Sequence, residues 1–169
     1  MVTISLNTDD TFSVVRSIAA EVWPIAYGSI LSSEQLDYMM QMMYSVESLQ
    51  KQTAESGHQL LLAADESEYV GFASFERNYN GEPKTKIHKL YVLFSCQKKG
   101  AGRKMVDYIA DVARKHNQKA LILNVNRFNE ARYFYEKLGF EVLFEEDIAI
   151  GNGYLMEDFV MGKKIVRGE

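Results

Sequence analysis

The chain reads Gln97-Lys98-Lys99-Gly100-Ala101-Gly102-Arg103 where an apolar, strand-like run gives way to an amphipathic, helix-like run. The apolar run covers residues 87–94, and the amphipathic run continues to about residue 117. The first amides of a helix have no acceptor within the helix, and glycines let a bulky group approach the backbone closely. The stretch therefore predicts an anion site between a strand and a helix, with a phosphate as its ligand.

Positive charge is concentrated around this stretch. Residues 83–104 contain seven Lys or Arg residues and no Asp or Glu, although the whole chain of 169 residues has a formal net charge of -4. A local basic cluster in an acidic protein suits the binding of one polyanion better than it suits a nucleic-acid surface. We therefore expect no nucleic acid among the partners.

Length and composition predict one domain over residues 1–169. The chain is 47% hydrophobic and 25% charged, close to the average of globular proteins. It has no apolar run near the roughly 20 residues that span a bilayer, and its first residues lack a signal-peptide pattern, so we expect a cytoplasmic protein without a membrane partner. The single cysteine, Cys96, cannot form an internal disulfide; we interpret it as a packing residue rather than a nucleophile.

The N-terminal segment alternates apolar and polar residues over 2–6, which predicts a strand, and residues 7–10 supply turn and helix-cap residues. A helix is predicted over residues 11–22. It should end there because Pro24 disfavours helical geometry at Trp23.

A second helix is predicted over residues 33–55, begun by a capping box between Ser32 and Gln35. Half of the eight methionines of the chain lie in this helix, at positions 39, 40, 42 and 43. We expect these side chains to fill gaps in the core, to line a substrate pocket, or both, because methionine adapts to irregular spaces.

The remaining residues predict a mixed α/β fold with a largely antiparallel sheet. The predicted strands cover residues 59–64, 69–77, 84–94, 119–126, 140–146 and 154–163. A short helix is predicted over residues 130–138, in addition to the helix that follows the glycine stretch. The strands on either side of that longer helix should pair in parallel, because such connections cross over right-handedly.

Residues 97–102 resemble the Gln/Arg-x-x-Gly-x-Gly/Ala signature of the GCN5-related N-acetyltransferase (GNAT) superfamily. A second family block, a strand followed by a helix that ends in a Phe-Tyr-Glu-Lys-Leu-Gly-Phe string, resembles residues 121–125 and 134–140. The resemblance covers residues 58–163 and, more loosely, the two N-terminal helices. Those helices and the run over residues 153–158 look similar to bacterial polyamine acetyltransferase-like members.

The resemblance implies a three-layer fold of about six or seven strands and about four helices, in which the central parallel pair is splayed. It also implies acetyl-CoA as co-substrate, with its pyrophosphate on the amides of the glycine stretch and its pantetheine arm along the splayed strand. One amide of that strand would bond the thioester carbonyl. No metal is expected. The coenzyme-binding residues implied by the resemblance are Leu90, Tyr91, Val92, Gln97, Lys98, Lys99, Gly100, Ala101, Gly102, Arg103, Asn129 and Lys137; Asn126 is the alternative to Asn129.

Direct transfer to an amine also needs an acid for the departing thiolate. The resemblance places Tyr135 in that role, and a phenol is protonated at neutral pH. The alternative is that Tyr135 is an aromatic residue that only packs under the sheet, like its neighbour Phe134.

A base must deprotonate the ammonium form of the acceptor. Many relatives place a Glu on the central strand, where this chain has His88 and Lys89. His88 is the candidate base, since an imidazole pKa near 6.5 suits that task, and a water chain to Glu76 or Asp147 is the alternative. Period-two alternation assigns His88, Leu90 and Val92 to one face of the strand and Lys89 and Tyr91 to the other.

The resulting hypothesis is an acetyl-CoA-dependent N-acetyltransferase that acts on a primary amine, such as a polyamine or another small cationic amine. The acidic excess outside the basic stretch favours a cationic acceptor. Peptide or protein amines are alternative acceptors, and a non-catalytic acyl-CoA sensor is the alternative class because the strand carboxylate is missing. The sequence has no Gly-Lys-Ser/Thr motif, which argues against nucleotide hydrolysis. Edge strands near the C-terminus would allow a homodimer.

Overall fold

A computed structural model describes residues 1–6 and 11–165, so the turn and helix cap predicted at residues 7–10 lie outside the described ranges. The strands are β1 (Val2–Leu6), β2 (Gln59–Asp65), β3 (Glu68–Glu76), β4 (Lys84–Val92), β5 (Ala120–Asn126), β6 (Glu141–Gly151) and β7 (Tyr154–Lys164). The helices are α1 (Phe12–Tyr27), α2 (Ser33–Tyr44), α3 (Val46–Ala54), α4 (Ala101–Lys115) and α5 (Ala131–Lys137). None of the described helices is long and apolar enough to cross a bilayer.

The seven strands form one sheet in the order β1-β2-β3-β4-β5-β7-β6. Every neighbouring pair is antiparallel except β4 and β5, which pair in parallel. The parallel pairing joins residues 84–87 to residues 120–123 and then stops, although both strands continue. The predicted mixed fold with a splayed central pair is therefore confirmed, with five helices where about four were expected.

Two apolar cores cover the two faces of this sheet. On one face, Met105 and Ile109 of α4 pack with Phe75 and Ile87 of the strands. On the other face, Trp23 and the first three helices pack over β2 and β3. The three layers follow from sequence, because the strands carry apolar side chains on both faces and each face needs a cover.

The first predicted helix boundary was wrong, because α1 continues through Pro24 to Tyr27. Proline removes one backbone donor, but Trp23 is almost fully buried and donates its indole N–H to the Tyr44 hydroxyl at 3.1 Å. That packing holds the helical geometry that local preference opposes. The helix ends where the Gly28 amide donates to the Pro24 carbonyl.

The second predicted helix is two helices, so its continuity over residues 33–55 was wrong. Ser45 adopts an extended conformation between α2 and α3, and its hydroxyl accepts from the Ser48 amide at 3.2 Å. A serine cap can start a new helix within a continuous helical pattern. The predicted serine cap at Ser32 is present, whereas the Gln35 side chain donates to the Leu155 carbonyl of β7.

The alternation predicted for β4 was also wrong. The register between β3 and β4 shifts by one residue: Ser74 lies opposite Lys89, but Phe75 lies opposite Ile87, so His88 is an extra residue. Such a bulge turns two consecutive side chains to the same face. His88 therefore shares the face of Lys89 and Tyr91, toward the N-terminal helices, whereas residues 90 and 92 pack on the face of α4.

Candidate active site

The glycine stretch forms an exposed turn that leads into α4. Gly100 adopts a φ of 85° at the helix start, and Lys98 has a φ of 69°. The first backbone bond of the helix runs from the Lys104 amide to the Gly100 carbonyl at 3.0 Å. The amides of residues 101–103 come before this bond and have no acceptor within the helix, so they form an anion-binding helix start.

The basic side chains of the turn divide into two groups. Lys99 pairs with Asp65 at 3.5 Å, and the Lys104 ammonium donates to the Val2 carbonyl at 2.8 Å, so both are turned toward the β1 side. Lys98 and Arg103 are exposed and form no ion pair within the described part of the chain. These two cations are the ones available to an incoming anion. The Gln97 side chain donates to the Val92 carbonyl at 3.3 Å.

Gly102 brings the two sequence motifs together in space. A Cβ atom at this position would lie 3.1 Å from Cζ of Phe134 in α5 and 3.7 Å from Cδ2 of Leu90 in β4. The absence of a side chain therefore lets the start of α4 approach the aromatic string of the second motif. Both motifs meet beside the place where β4 and β5 separate.

Tyr135 is buried between Phe134 and Phe140, with ring centroids 5.2 and 5.7 Å from its own. Burial raises the pKa of the Tyr135 hydroxyl, and the nearby Tyr27 raises it further. The phenol therefore stays protonated throughout the neutral range. It makes no hydrogen bond within the residues that the structure describes, so its proton is not committed to a protein acceptor.

The hydroxyls of Tyr27 and Tyr91 lie 3.2 Å apart on the same side of the sheet as the N-terminal helices. Burial raises the pKa of both phenols. Asn129 interacts with Tyr27 and accepts from the Ala131 amide at 2.9 Å, so it fixes the start of α5. Asn126 instead lines the cavity described next. Lys137, at the end of α5, is exposed and forms no ion pair among the described residues.

A cavity of about 80 Å³ opens beside the separated strands. Its wall combines aromatic rings, methionines and amides, and the described residues that line it include one carboxylate but neither lysine nor arginine. The lining residues are Trp23, Tyr27, Leu31, Gln35, Met39, Met43, His88, Tyr91, Asn124, Asn126, Leu155, Met156 and Asp158. Met39 and Met43 confirm that part of the methionine-rich helix faces this cavity as well as the core.

Asp158 was not singled out from the sequence. It is 2% exposed, and its carboxylate accepts from the Asn124 side chain at 3.1 Å. The same amide also donates to Glu146, again at 3.1 Å. Burial raises the pKa of Asp158, which marks a carboxylate short of partners. An acidic residue inside the apolar strand β7 was the sequence signal that could have identified it.

His88 lies in a compact group with His58 and Glu76. Oε1 of Glu76 is 2.9 Å from Nε2 of His88 and 3.4 Å from Nε2 of His58, and the two imidazole rings stack with centroids 3.9 Å apart. Burial, with Lys86 and Lys89, lowers the pKa of His88 to about 3, and burial with His88 and Lys89 lowers that of His58 to about 4. Both rings are therefore neutral at physiological pH.

Glu76 and Asp147, the two carboxylates that were the alternative to His88 as base, lie in different surroundings. Glu76 contacts His88 directly, whereas Asp147 is exposed, does not line the cavity and pairs with Arg127 at 2.8 Å. Cys96 is half-buried, and its sulfur lies 3.6 Å from the Ser95 hydroxyl.

Comparison with known proteins gives a family match over most of the chain. The family described as acetyltransferase (GNAT) domain matches residues 29–161. L-amino acid N-acyltransferase MnaT of Escherichia coli is 30% identical over 90 residues, which are 52% of this chain and 52% of that protein. The chain thus matches about half the length of this relative. The 5-NmdU N-acetyltransferase of Pseudomonas phage PaMx11 is 32% identical over 110 residues, 64% of this chain and 72% of that protein.

The fold has close counterparts among solved structures. The PaiA N-acetyltransferase of Thermoplasma acidophilum, solved in complex with coenzyme A, superposes with a TM-score of 0.80 at 24% identity. The superposition covers 97% of this chain and 99% of that one. The ribosomal-protein-S18-alanine N-acetyltransferase of Escherichia coli superposes with a TM-score of 0.72 at 18% identity, covering 100% and 97% of the two chains.

Proposed function

Because the chain belongs to the acetyltransferase (GNAT) family, we propose that it transfers an acetyl group from acetyl-CoA to a primary amine. The observation that carries this proposal is the meeting of Gly102, Leu90 and Phe134, which places a helix start with free amides beside two separated strands. A phosphate-bearing thioester needs both features, since its charged end and its extended arm require different partners. The N-acyltransferase activities named for the two sequence relatives agree with this proposal.

The coenzyme would bind along the path from the start of α4 to the separated strands. The amides of residues 101–103, with the side chains of Lys98 and Arg103, would hold the pyrophosphate. The backbone of β4 after Ile87 has no strand partner on its β5 side, so residues 90–92 can hydrogen-bond the pantetheine arm as a strand would. The coenzyme A complex of the Thermoplasma relative supports this ligand class.

The proton transfers fall to groups at the cavity. An alkylammonium with a pKa near 10 must lose a proton before it attacks, which costs about 4 kcal/mol at pH 7. With its pKa lowered to about 3, His88 alone is too weak a base for this step, so the proton would go to His88 acting together with Glu76, whose carboxylate lies 2.9 Å from Nε2 and offsets the imidazolium charge. Tyr135 would donate its phenolic proton to the departing sulfur. A backbone amide among residues 90–92 would stabilise charge on the thioester oxygen.

We propose a small cationic amine with an apolar stem as acceptor, with polyamines as the leading class. Asp158 supplies a buried carboxylate whose hydrogen-bond partner among the described residues is the Asn124 amide, and the rings of Trp23 and Tyr27 offer faces to a cation. An α-amino acid would need a cationic partner for its carboxylate, and the cavity lining over residues 1–6 and 11–165 contains no lysine or arginine. The acceptor class therefore differs from the amino acids named for the Escherichia coli relative.

The cavity geometry favours a small acceptor over a protein chain. The Tyr38 hydroxyl donates to the Ile150 carbonyl at 2.8 Å, and the Gln35 side chain donates to the Leu155 carbonyl at 3.1 Å. These bonds join α2 to the hairpin of β6 and β7 and close one wall of the cavity. A peptide acceptor would have to open this wall.

Release of free thiol from acetyl-CoA, followed across polyamines, monoamines, amino acids and peptides, tests the proposal. We expect the highest kcat/KM with polyamines, and Asp158→Asn should lower it about 10- to 100-fold because a charge-assisted bond is lost. Asp107→Asn, on the exposed face of α4, is the matched control. Faster turnover with amino acids than with any amine would contradict the acceptor assignment.

A non-catalytic acyl-CoA sensor is the second candidate, because β4 carries His88 where many relatives carry a glutamate. Tight coenzyme binding without turnover of any member of the panel would replace the enzyme by this alternative. We propose further that residues 1–169 form one acetyltransferase domain, since both cores share one sheet. A homodimer through the outer edge of β6, which exposes residues 142–144, stays a prediction.

A further inference from the structure

Glu76 has two imidazole partners on the same oxygen atom. Oε1 lies 2.9 Å from Nε2 of His88 and 3.4 Å from Nε2 of His58. The three residues come from separate segments: His58 precedes β2, Glu76 ends β3, and His88 is the extra residue of the bulge in β4. The bulge is what turns the His88 ring toward the other two.

The shared oxygen decides the tautomer of both rings. An ionised carboxylate only accepts hydrogen bonds, so each neutral imidazole must carry its proton on Nε2 in order to bond Oε1. In His88 this leaves Nδ1 with a free lone pair. His88 also lines the cavity, and Nδ1 is the ring nitrogen that the bond to Glu76 leaves uncommitted.

His58 acts on the carboxylate and not on the cavity, whose lining does not include it. Its ring stacks on His88 at an interplanar angle of 13°, and its Nε2 is the second donor to Oε1. Nδ1 of His58 is buried and makes no hydrogen bond within the described part of the chain. This agrees with a neutral ring protonated on Nε2 whose function is to hold Glu76 in place.

The charged surroundings of the group are basic. Lys86 lies over the Tyr79 ring at 4.5 Å, and Tyr79 packs edge-on against His88 at 5.7 Å. Lys89, which bonds Gln52 and lies over the Tyr44 ring, faces the group from β4. The two histidines and Glu76 are of types that bind metals. The positive charges of Lys86 and Lys89 would, however, repel a divalent cation placed between these three side chains. The same charges oppose a protonated imidazole unless Glu76 balances it.

We propose that Glu76 and His58 are positioning residues that make His88 the base for the acceptor amine. This inference rests on the proposed acetyl transfer. The ammonium gives one proton to Nδ1 of His88, and Glu76 balances the imidazolium charge through the Nε2–H bond. The amine lone pair thus freed forms the new N–C bond as the C–S bond breaks, and Tyr135 protonates the sulfur. One of the two protons left on the nitrogen passes to the Tyr135 phenolate and the other stays as the amide N–H, while the proton on His88 passes to solvent.

The tautomer can be measured without any turnover. Long-range ¹H–¹⁵N spectra of protein labelled at histidine, assigned with His58→Ala and His116→Ala, report which ring nitrogen of each histidine carries the proton. We expect His88 to be protonated on Nε2 in the wild type and to become a mixture of tautomers in Glu76→Gln. A wild-type His88 protonated on Nδ1 would overturn the proposal, even if the protein is an active enzyme.

Steady-state kinetics test the consequence. Glu76→Gln should lower kcat on the order of 10²-fold, with the KM for the amine changed less than about threefold, because His88 loses the carboxylate that fixes its tautomer and balances its charge, whereas the groups that bind the amine are unchanged. His58→Ala should lower kcat about 10-fold, and His58→Gln, which keeps an amide donor, should restore most of it. His116→Ala, an exposed histidine at the end of α4, is the control.

A Glu76→Gln enzyme with unchanged kcat overturns the proposal. A wild type inactive toward every amine contradicts the acetyltransferase function instead, and the tautomer spectra then decide the arrangement of the histidines separately.

Discussion

Tyr135 combines two properties of a proton donor to sulfur: it is buried and it has no protein acceptor among the described residues. Burial raises the pKa of its hydroxyl, so the proton is retained until a stronger base develops beside it. Tyr135→Phe should lower kcat about 10²-fold and leave coenzyme affinity within about twofold, because packing is preserved. Thiol release and a fluorescence titration with coenzyme A measure the two effects. Tyr133→Phe, in the same helix but exposed, is the control, and an unchanged kcat in Tyr135→Phe would exclude the acid role.

Lys89 is a buried cation without a carboxylate partner in the part of the chain that the structure describes. It bonds Gln52 and lies over the Tyr44 ring, and burial lowers its pKa from 10.5 to about 8. This depression corresponds to on the order of 3 kcal/mol of stability lost at pH 7, where Lys89 is charged. Lys89→Met should therefore raise the free energy of unfolding by about 1–3 kcal/mol in urea denaturation.

The lowered pKa of Lys89 predicts how the free energy of unfolding changes with pH. Between pH 8 and 10.5 the unfolded chain binds more protons at Lys89 than the folded chain does, so wild-type stability rises with pH. The advantage of Lys89→Met should shrink over that range. Lys84→Met, at a partly exposed lysine of the same strand that pairs with Glu82, is the matched control. A Lys89→Met advantage that is constant from pH 7 to 10.5 would contradict a buried, charged lysine.

At the scale of elements, the approach of α4 to α5 depends on Gly102. A Cβ atom there would lie 3.1 Å from the Phe134 ring, closer than an ordinary contact. Gly102→Ala should displace α5 and lower coenzyme affinity about 10-fold, with about 1–2 kcal/mol lost in the free energy of unfolding. Adding Phe134→Leu to the Gly102→Ala variant should restore part of the coenzyme affinity and part of the free energy of unfolding, because it removes the ring edge that the new methyl group would contact. Equal effects of Gly102→Ala in the presence and absence of Phe134→Leu would show that the contact is not the cause.

Elements with strong local signals could be predicted from sequence, and elements decided by packing could not. Alternation predicted β1, apolar runs bounded by turn residues predicted the other strands, and the serine cap at Ser32 marked the start of α2. The helix end predicted from Pro24 was wrong because burial of Trp23 outweighs the local preference for ending the helix there. The register shift that places His88 has no mark in the period-two pattern, since it arises from the pairing of β3 with β4. Asp158 was overlooked because two adjacent acids, Glu157 and Asp158, lie in β7, and only their surroundings distinguish the buried one from the more exposed one.

At the scale of the whole molecule, the charge distribution is the property most open to test. Seven basic residues lie within residues 83–104 of a chain with net charge -4. Coenzyme A affinity should fall steadily as sodium chloride rises from 50 to 300 mM, because salt screens exposed cations such as Lys98 and Arg103. Isothermal titration calorimetry measures this slope. Lys98→Gln combined with Arg103→Gln should flatten the dependence of affinity on salt. Lys137→Gln tests whether the cation at the end of α5 contributes to this dependence. An affinity that does not change with salt would contradict phosphate binding at this turn.

The separation of β4 from β5 also bears on how the chain avoids association with itself. A strand edge with free backbone groups is a template for pairing with other chains, and proteins usually shorten or charge such edges. Here two unpaired edges face each other within one sheet, joined at their base by residues 84–87 and 120–123. At the outer strand β6, the acidic run Glu145-Glu146-Asp147 disfavours pairing of like copies along that run, so a homodimer at this edge would use the exposed residues 142–144 beside it. The molecule thus offers backbone donors to a ligand from edges that face each other inside its own sheet, where they are less open to another chain than the outer strands are.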